Sequence, residues 1–235
     1  MAPKRKNAPR LPPLPRGART RAKLTYERLR EAYPAVTELA HVDPFQLLVA
    51  TILSAQTTDR LVNSITPELF KRYPTAADLA AADPAVVEEL IKPTGFFRAK
   101  TRSIVAASRK LVELFGGEVP GRMEDLVKLP GIGRKTANVI LGVGFGVPGF
   151  AVDTHVTRLT NRLKLTSSRD PVKIEQQVCS IVPKEEWTGL SLRLILHGRR
   201  VCIARRPRCE ECILNDFCPS SRTRPNPRTR RPKTP

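Results

Sequence analysis

The sequence predicts an all-α fold. Helix start and stop signals recur along the whole chain, and no stretch alternates apolar and polar residues as a half-buried strand would. The third observation is the stretch Leu129 to Leu141, LPGIGRKTANVIL. There a polar helix-compatible segment runs through a Pro-Gly-x-Gly turn straight into a second helix. No internal sequence repeat is present.

Residues 1–23 carry eight Lys/Arg and no acid, and residues 219–235 carry six and no acid. Ten of the 22 prolines fall in these two segments, so both read as extended, disordered basic arms. A short amphipathic helix is expected from Leu24 to Ala32, stopped near Pro34. Asp43-Pro44 reads as an N-cap followed by a helix-starting proline. The segment it opens, FQLLVATILSAQ, is apolar on most of its circumference and should be buried. It ends in Ser54, Gln56, Thr57, Thr58 and Asp59, polar groups that either cap two adjoining helices or face a groove or ligand.

Leu61 restarts the apolar pattern. Thr66-Pro67, Thr75 and Asp83-Pro84 mark further helix starts, and Pro74 and Pro93 mark stops. Thr94 to Arg98 is a turn with two adjacent aromatics, Phe96 and Phe97, which cannot both face one helical core. One is either a wedge for a base stack or a side chain packed beneath the loop. The helix Lys100 to Leu114 follows, with bases at Lys100, Arg102, Arg109 and Lys110, and Gly116-Gly117 ends it. Pro120-Gly121 leads to a short helix-compatible run, Met123 to Lys128, and then the hairpin.

At the hairpin, Gly131 and Gly133 give the backbone freedom and leave no side chain in the way of a close partner. The amides of the turn and of the following first helical turn, from Arg134, then form a ready site for a phosphate; the alternative is an ordinary αα-corner. Lys135 tilts the balance. The positive end of a helix dipole is a poor place for a structural ammonium and a good one for a neutral, nucleophilic amine. After Leu141, GVGFGVPGF reads as a glycine-rich linker that lets the chain cross between lobes. It delivers Asp153, an N-cap by position, before a helix carrying Arg158 and Arg162; a carboxylate fixed at a helix start is also a suitable partner for a reactive lysine. Asp170-Pro171 starts another helix, and Trp187 precedes the apolar run Leu190 to Leu196 and His197-Gly198-Arg199.

The formal charge is +19. The two arms account for most of it: between Leu24 and Cys218 the remaining 27 bases face 22 acids, so the body is only about +5. Such arms add salt-sensitive, sequence-blind affinity for a polyanion, or merely solubility. No apolar run is long enough to span a membrane and no signal-peptide core is present, so a bacterial cytoplasmic location is expected. Four of the five cysteines, Cys202, Cys209, Cys212 and Cys218, form C-x6-C-x2-C-x5-C, which implies a metal centre rather than two disulfides. Zinc more often shows two C-x2-C pairs; one short pair flanked by longer loops suits an iron–sulfur cluster better. Arg199, Arg200, Arg205, Arg206 and Arg208 on and near the first loop suggest a basic surface for a phosphate backbone. Cys179 reads as a small buried apolar residue.

LPGIGRKTANVIL, AVDTHVTRL and the cysteine pattern, in that order, together resemble endonuclease III, a family of bifunctional DNA glycosylases in the helix-hairpin-helix superfamily. The similarity runs from about Leu24 to Cys218 and includes LSAQTTD, the turn at Gly95 and LILHGRRVCIARRPRC. The resemblance implies a six-helix barrel lobe at 36–148 and an iron–sulfur lobe made of 24–35 plus 149–218, with DNA in a cleft between them. It further implies Lys135 as the nucleophile, Asp153 as its carboxylate partner, a 4Fe-4S cluster on the four cysteines, and Gln56 filling the gap left by an extruded base. Phe96, Gly131, Gly133 and Arg134 join Gln56 as expected DNA-contacting residues. The expected substrate is double-stranded DNA with damaged pyrimidines or abasic sites, handled by a monomer. Two other readings remain open: a monofunctional glycosylase of the same superfamily, and a non-catalytic DNA-binding protein. This chain has Phe96 where many relatives carry an aliphatic residue, and its GVGFGVPGF run is richer in glycine than the family pattern.

Overall fold

The computed structural model describes residues 11–223, and among them all regular structure is helical. The chain divides into two compact units. One holds residues 35–151; the other joins residues up to Pro34 to those from Val152 onward, where the sequence places the limits at 36 and 148. The ends of the basic arms, residues 1–10 and 224–235, lie outside the described residues.

The first unit is built on α2 (Pro44–Leu53), whose start follows the expected chemistry: Asp43 Oδ1 accepts from Gln46 N at 2.8 Å and Pro44 occupies the first turn. Apart from Gln46, every residue from Phe45 to Leu53 is buried. Around it lie α3 (Asp59–Arg72), α4 (Ala76–Ala80), α5 (Pro84–Ile91), α6 (Phe97–Phe115), α7 (Met123–Leu126) and α8 (Arg134–Val139). Leu48, Leu53, Val62, Leu69, Ile91, Ile104, Leu111, Leu126 and Ile140 form one apolar core in this unit. Thr58, Thr75 and Asp83 cap α3, α4 and α5 as their positions suggest.

Three expectations in this unit are corrected. Thr66-Pro67 does not start a helix; α3 runs through it. A mid-helix proline costs about 3 kcal/mol, but Val62, Thr66 and Leu69 form one buried stripe across it, and each fully buried Val or Leu contributes roughly 1.5–3 kcal/mol. The helix expected from Lys100 begins at Phe97, because Phe97 packs against the core and draws the first turn inward. Lastly, GVGFGVPGF is not a slack linker. Ile140–Gly144 continues α8 as a π-helical turn, and Phe145 N and Val147 N both donate to Leu141 O. The segment then returns onto α8, where Asn138 Nδ2 donates to Phe150 O at 3.2 Å and Phe150 is buried. Gly149 permits that approach: a Cβ there would stand 2.9 Å from Asn138 Oδ1 and 3.0 Å from its carbonyl oxygen.

The second unit contains α1 (Ala18–Ala32), α9 (Thr154–Arg162), α10 (Pro171–Cys179) and α11 (Trp187–Arg200). Here the N-terminal arm ends earlier than expected, since α1 begins at Ala18 rather than Leu24. Ala18, Ala22, Thr25 and Leu29 make a buried stripe at helical spacing, small residues hidden among the bases. Arg21 belongs to the fold as well, donating through Nε to Leu163 O at 2.7 Å and through Nη2 to Lys164 O at 2.8 Å. The C-terminal tail is likewise placed at its start, where Ser220 Oγ donates to Arg162 O at 2.8 Å. Cys179, expected to be buried, is only half-buried at the end of α10. In α11, Leu190, Leu192, Leu194 and Leu196 are all buried. No helix among the described residues is long and apolar enough to cross a membrane.

If the glycine-rich segment is pinned by packing, Gly149→Ala is expected to destabilise the protein by about 1–3 kcal/mol. Urea unfolding measures this; a slack linker would leave the midpoint unchanged.

Candidate functional site

The hairpin is held from within. Leu129 N donates to Leu126 O and Ile132 N to Leu129 O, and both Leu129 and Ile132 are buried. With these two side chains anchored, the turn needs a left-handed residue between them, and Gly131 supplies it at φ +80. A Cβ at Gly131 would also stand 3.0 Å from Ser103 Cβ. Gly133 is different: its extended backbone suits any residue, and a Cβ there would meet nothing within 4 Å. Its missing side chain therefore leaves open surface at the start of α8, the space a close partner would use.

On α8 the burial splits sharply. Ala137, Asn138 and Val139 face inward, whereas Arg134 and Lys135 are exposed in the first turn. Beside them runs a groove lined by Gln56, Phe96, Lys100, Ser103, Gly131 and Thr136. Three of the residues predicted from sequence, Gln56, Phe96 and Gly131, thus line one surface feature next to Lys135, and Gly133 and Arg134 stand at the adjoining helix start.

Gln56 and Phe96 share a second property. Both are non-glycine residues with left-handed backbones, φ 56 and φ 48, and both are exposed, Phe96 to 67%. A bulky residue in that region is strained, and strain held by its surroundings clusters at functional positions. The choice between the two adjacent phenylalanines is also settled by the geometry: Phe97 packs on the core and Phe96 projects outward.

Asp153 belongs to the other unit, as the N-cap of α9. Its Oδ1 accepts from Val156 N at 2.8 Å, and the buried Ala151 and Val152 fix the approach of the chain.

In that same unit the four cysteines Cys202, Cys209, Cys212 and Cys218 line one cavity together with Arg162, Val201, Pro207, Arg208 and Asn215. Two side chains from the surrounding helices approach the sulfurs. Arg162 Nη1 donates to Cys202 Sγ at 3.2 Å, and His197 Nε2 lies 3.4 Å from Cys212 Sγ. Burial pushes the Cys212 thiol up to about 11 and raises that of Cys218. Burial alone disfavours thiolates, so four half-buried thiols lining one cavity fit a bound cationic metal group, whose charge would stabilise them. His197 is 1% exposed, and burial lowers its pKa to about 4, so it stays a neutral ring; its Nδ1 lies 3.0 Å from Tyr33 Oη. Arg205, Arg206 and Arg208 on the first cysteine loop are exposed, as a phosphate-facing role requires.

Several residues that shape these sites give little signal in the sequence. Arg158 and Arg162 look like surface bases on α9, yet Arg158 donates to Gly198 O and Cys202 O, and Arg162 to Ile203 O and Ala204 O. Their spacing of four residues puts them on one helix face, the only available hint. Arg28 of α1 likewise reaches Ile213 O and Asp216 across the cysteine segment. Lys100, one of several bases on α6, is buried beneath the groove.

Residues 49–184 match the model of the HhH-GPD superfamily base excision DNA repair protein, and residues 202–218 match the iron-sulfur binding domain of endonuclease III. An endonuclease III from Synechocystis sp. is 53% identical over 195 residues, covering 82% of this chain and 89% of its own length. The endonuclease III of Escherichia coli is 43% identical over 192 residues, covering 81% of this chain and 91% of its own. Among solved structures, a trapped endonuclease III–DNA covalent intermediate superposes with a TM-score of 0.82 at 40% identity, covering 86% of this chain and 96% of that one. The hairpin, the exposed lysine and the cysteine cavity therefore have a common origin: the chain belongs to the endonuclease III family within the HhH-GPD superfamily of base excision DNA repair proteins.

Proposed function

We infer that the chain is a bifunctional DNA glycosylase and AP lyase of base excision repair, acting on duplex DNA with oxidised pyrimidines or abasic sites. The observation that carries the reading is Lys135, an exposed amine at the first turn after a hairpin that leaves open space at Gly133.

The damaged nucleotide leaves the stack, which is least costly where the lesion has already weakened stacking. Gln56 fills the gap and Phe96 wedges the neighbouring stack; their outward, left-handed placement along one groove supports both roles. The hairpin amides around Gly131 and Gly133, with Arg134, hold the phosphate backbone. The Lys135 amine attacks C1′, a C1′–N bond forms, and the bond to the base breaks with its electron pair leaving on the base. The new secondary ammonium loses a proton, its lone pair then breaks the C1′–O4′ bond while O4′ takes up a proton as a hydroxyl, and a protonated Schiff base results. Removal of a C2′ proton then expels the 3′ phosphate by β-elimination, and water releases the enzyme. Asp153, fixed at the start of α9, takes the proton from Lys135 and stabilises positive charge on the sugar.

Cys202, Cys209, Cys212 and Cys218 would hold a 4Fe-4S cluster, which when bound supplies a rigid covalent cross-link and the positive charge that keeps four half-buried thiolates together. The protein works as a monomer in the bacterial cytoplasm.

Borohydride trapping on a duplex containing one thymine glycol tests the nucleophile. Wild type is expected to give a covalent adduct and Lys135→Ala none; base release without adduct or strand cut would mean a monofunctional enzyme, and binding without base release a non-catalytic one. Asp153→Asn separates capping from chemistry, because Asn caps a helix about as well as Asp. Its melting temperature should stay close to wild type while the single-turnover rate falls about 10²–10⁴-fold. For the cluster, iron and acid-labile sulfide should each be about four per chain, and Cys212→Ala should lower both together with the visible absorbance. One iron and no sulfide would exclude a cubane.

A further inference from the structure

Lys100 is 5% exposed, and among the described residues its ammonium has one partner, the carbonyl of Thr94, to which Nζ donates at 2.8 Å. Burial lowers its pKa. A buried ammonium held by a single neutral oxygen is an expensive choice for a helix that needs only to fill space, since methionine would occupy the same volume without the desolvation cost. What the contact does hold is the turn that carries Phe96. Thr94 is itself 2% exposed, and its Oγ1 donates to Ile91 O at 2.7 Å. Gly95 N donates to Lys92 O, and Lys100 N donates to Phe96 O at 3.0 Å, so Lys100 holds the turn before Phe96 by its side chain and Phe96 itself by its backbone. Phe97 anchors the far end in the core. Phe96 sits between these fixed points at φ 48, exposed and strained, on the rim of a groove whose wall includes Lys100.

We propose that Lys100 is a positioning residue that clamps the Thr94 carbonyl and so holds Phe96 in its outward, left-handed conformation, ready to enter the base stack before the duplex arrives. The proposal rests on the wedge role given to Phe96 above. It implies that Lys100 trades stability for function: a preformed wedge lowers the ordering cost of the complex in which the lesion is extruded.

The test is a double-mutant cycle of Lys100→Met and Phe96→Ala on a duplex with one thymine glycol and a 2-aminopurine beside it. Single-turnover base release, KM, the 2-aminopurine unstacking signal and urea midpoints are read for each protein. Lys100→Met is expected to unfold at the same or higher urea, yet to release base about ten- to a hundredfold more slowly with a weaker unstacking signal. Phe96→Ala should lose a similar factor, and the double variant should lose no more than the worse single one. Lys100→Gln, which keeps a donor, should recover part of the rate and serves if the methionine variant does not fold.

A rate loss that merely tracks a lowered urea midpoint would overturn the proposal, as would losses that multiply in the double variant. If Phe96→Ala is impaired but Lys100→Met behaves as wild type, the clamp is wrong and the wedge stands. If Phe96→Ala behaves as wild type, the wedge is wrong and the clamp falls with it.

Discussion

The first unit depends on burying α2. A helix with eight of its ten residues out of water has no solvent face, so other helices must surround it. That requirement gathers α3, α6 and α8 against the same short segment, and it decides where the polar positions can go. Ser54 to Asp59 begin where the buried face ends. Ala55 N and Thr57 N turn back onto Ile52 O and Ser54 O, which forces the chain through a left-handed residue, and that residue is Gln56. The exposed, left-handed Gln56 is thus a geometric consequence of ending a fully buried helix at the surface. On the other wall, Ile52 comes within 3.9 Å of the position a Cβ would occupy on Gly131, so the core helix also backs the hairpin turn.

Much of this architecture is legible in the sequence because helix caps are local. Asp43, Thr58, Thr75, Asp83, Asp153 and Asp170 all cap helices through their own side chains, and each interaction spans only two or three residues. What a local rule cannot report is the net burial on the far side of an element. Pro67 carries a stop signal that a buried stripe outweighs, and the alanines of α1 look like part of a basic arm until the surface they pack against is known. The glycines at 144 and 149 look like slack for the same reason. Gly144 packs against Pro44 and Leu47 within the π-helical turn, and the missing side chain of Gly149 lets the returning chain close on Asn138 of α8.

The site shows the same division. Lys135 and the four cysteines stand out because their residue types are unusual for their positions, a cation at the positive end of a helix and thiols at short spacing. Gly131 stands out because a tight turn with two apolar anchors leaves it no other identity. By contrast, Lys100, Arg158, Arg162 and His197 are ordinary in composition and become distinctive only through burial and through partners outside their own helix turn. A base on a helix is read by default as a solvated charge. Lys100, Arg158 and Arg162 are instead donors to backbone carbonyls and His197 lies against Tyr33 and Cys212; several of those partners, at Cys202, Ile203 and Ala204, lie in irregular chain, whose conformation sequence spacing predicts least well.

The last segment shows why such donors are needed. From Val201 to Thr223 the described chain has no helix, and Leu214 is the one buried apolar side chain in it. So short an irregular stretch cannot offset its own ordering entropy by hydrophobic burial. Two other devices act in its place. Arginines from α1 and α9 satisfy its carbonyls: Arg28 at Ile213, Arg158 at Cys202, and Arg162 at Ile203 and Ala204. They bring planar, permanently charged donors that can serve several acceptors at once. The four thiols then converge on one cavity, where a bound cluster closes the loops covalently and restricts the unfolded chain as well as the folded one. The exposed bases Arg205, Arg206 and Arg208 ride on a loop whose ends, Cys202 and Cys209, line the cysteine cavity, so a bound cluster would hold the backbone that carries them despite the absence of regular structure. A basic surface of that kind would meet a phosphate backbone without first having to order itself, and in a segment this poor in buried apolar side chains a bound metal centre would supply the order that burial does not.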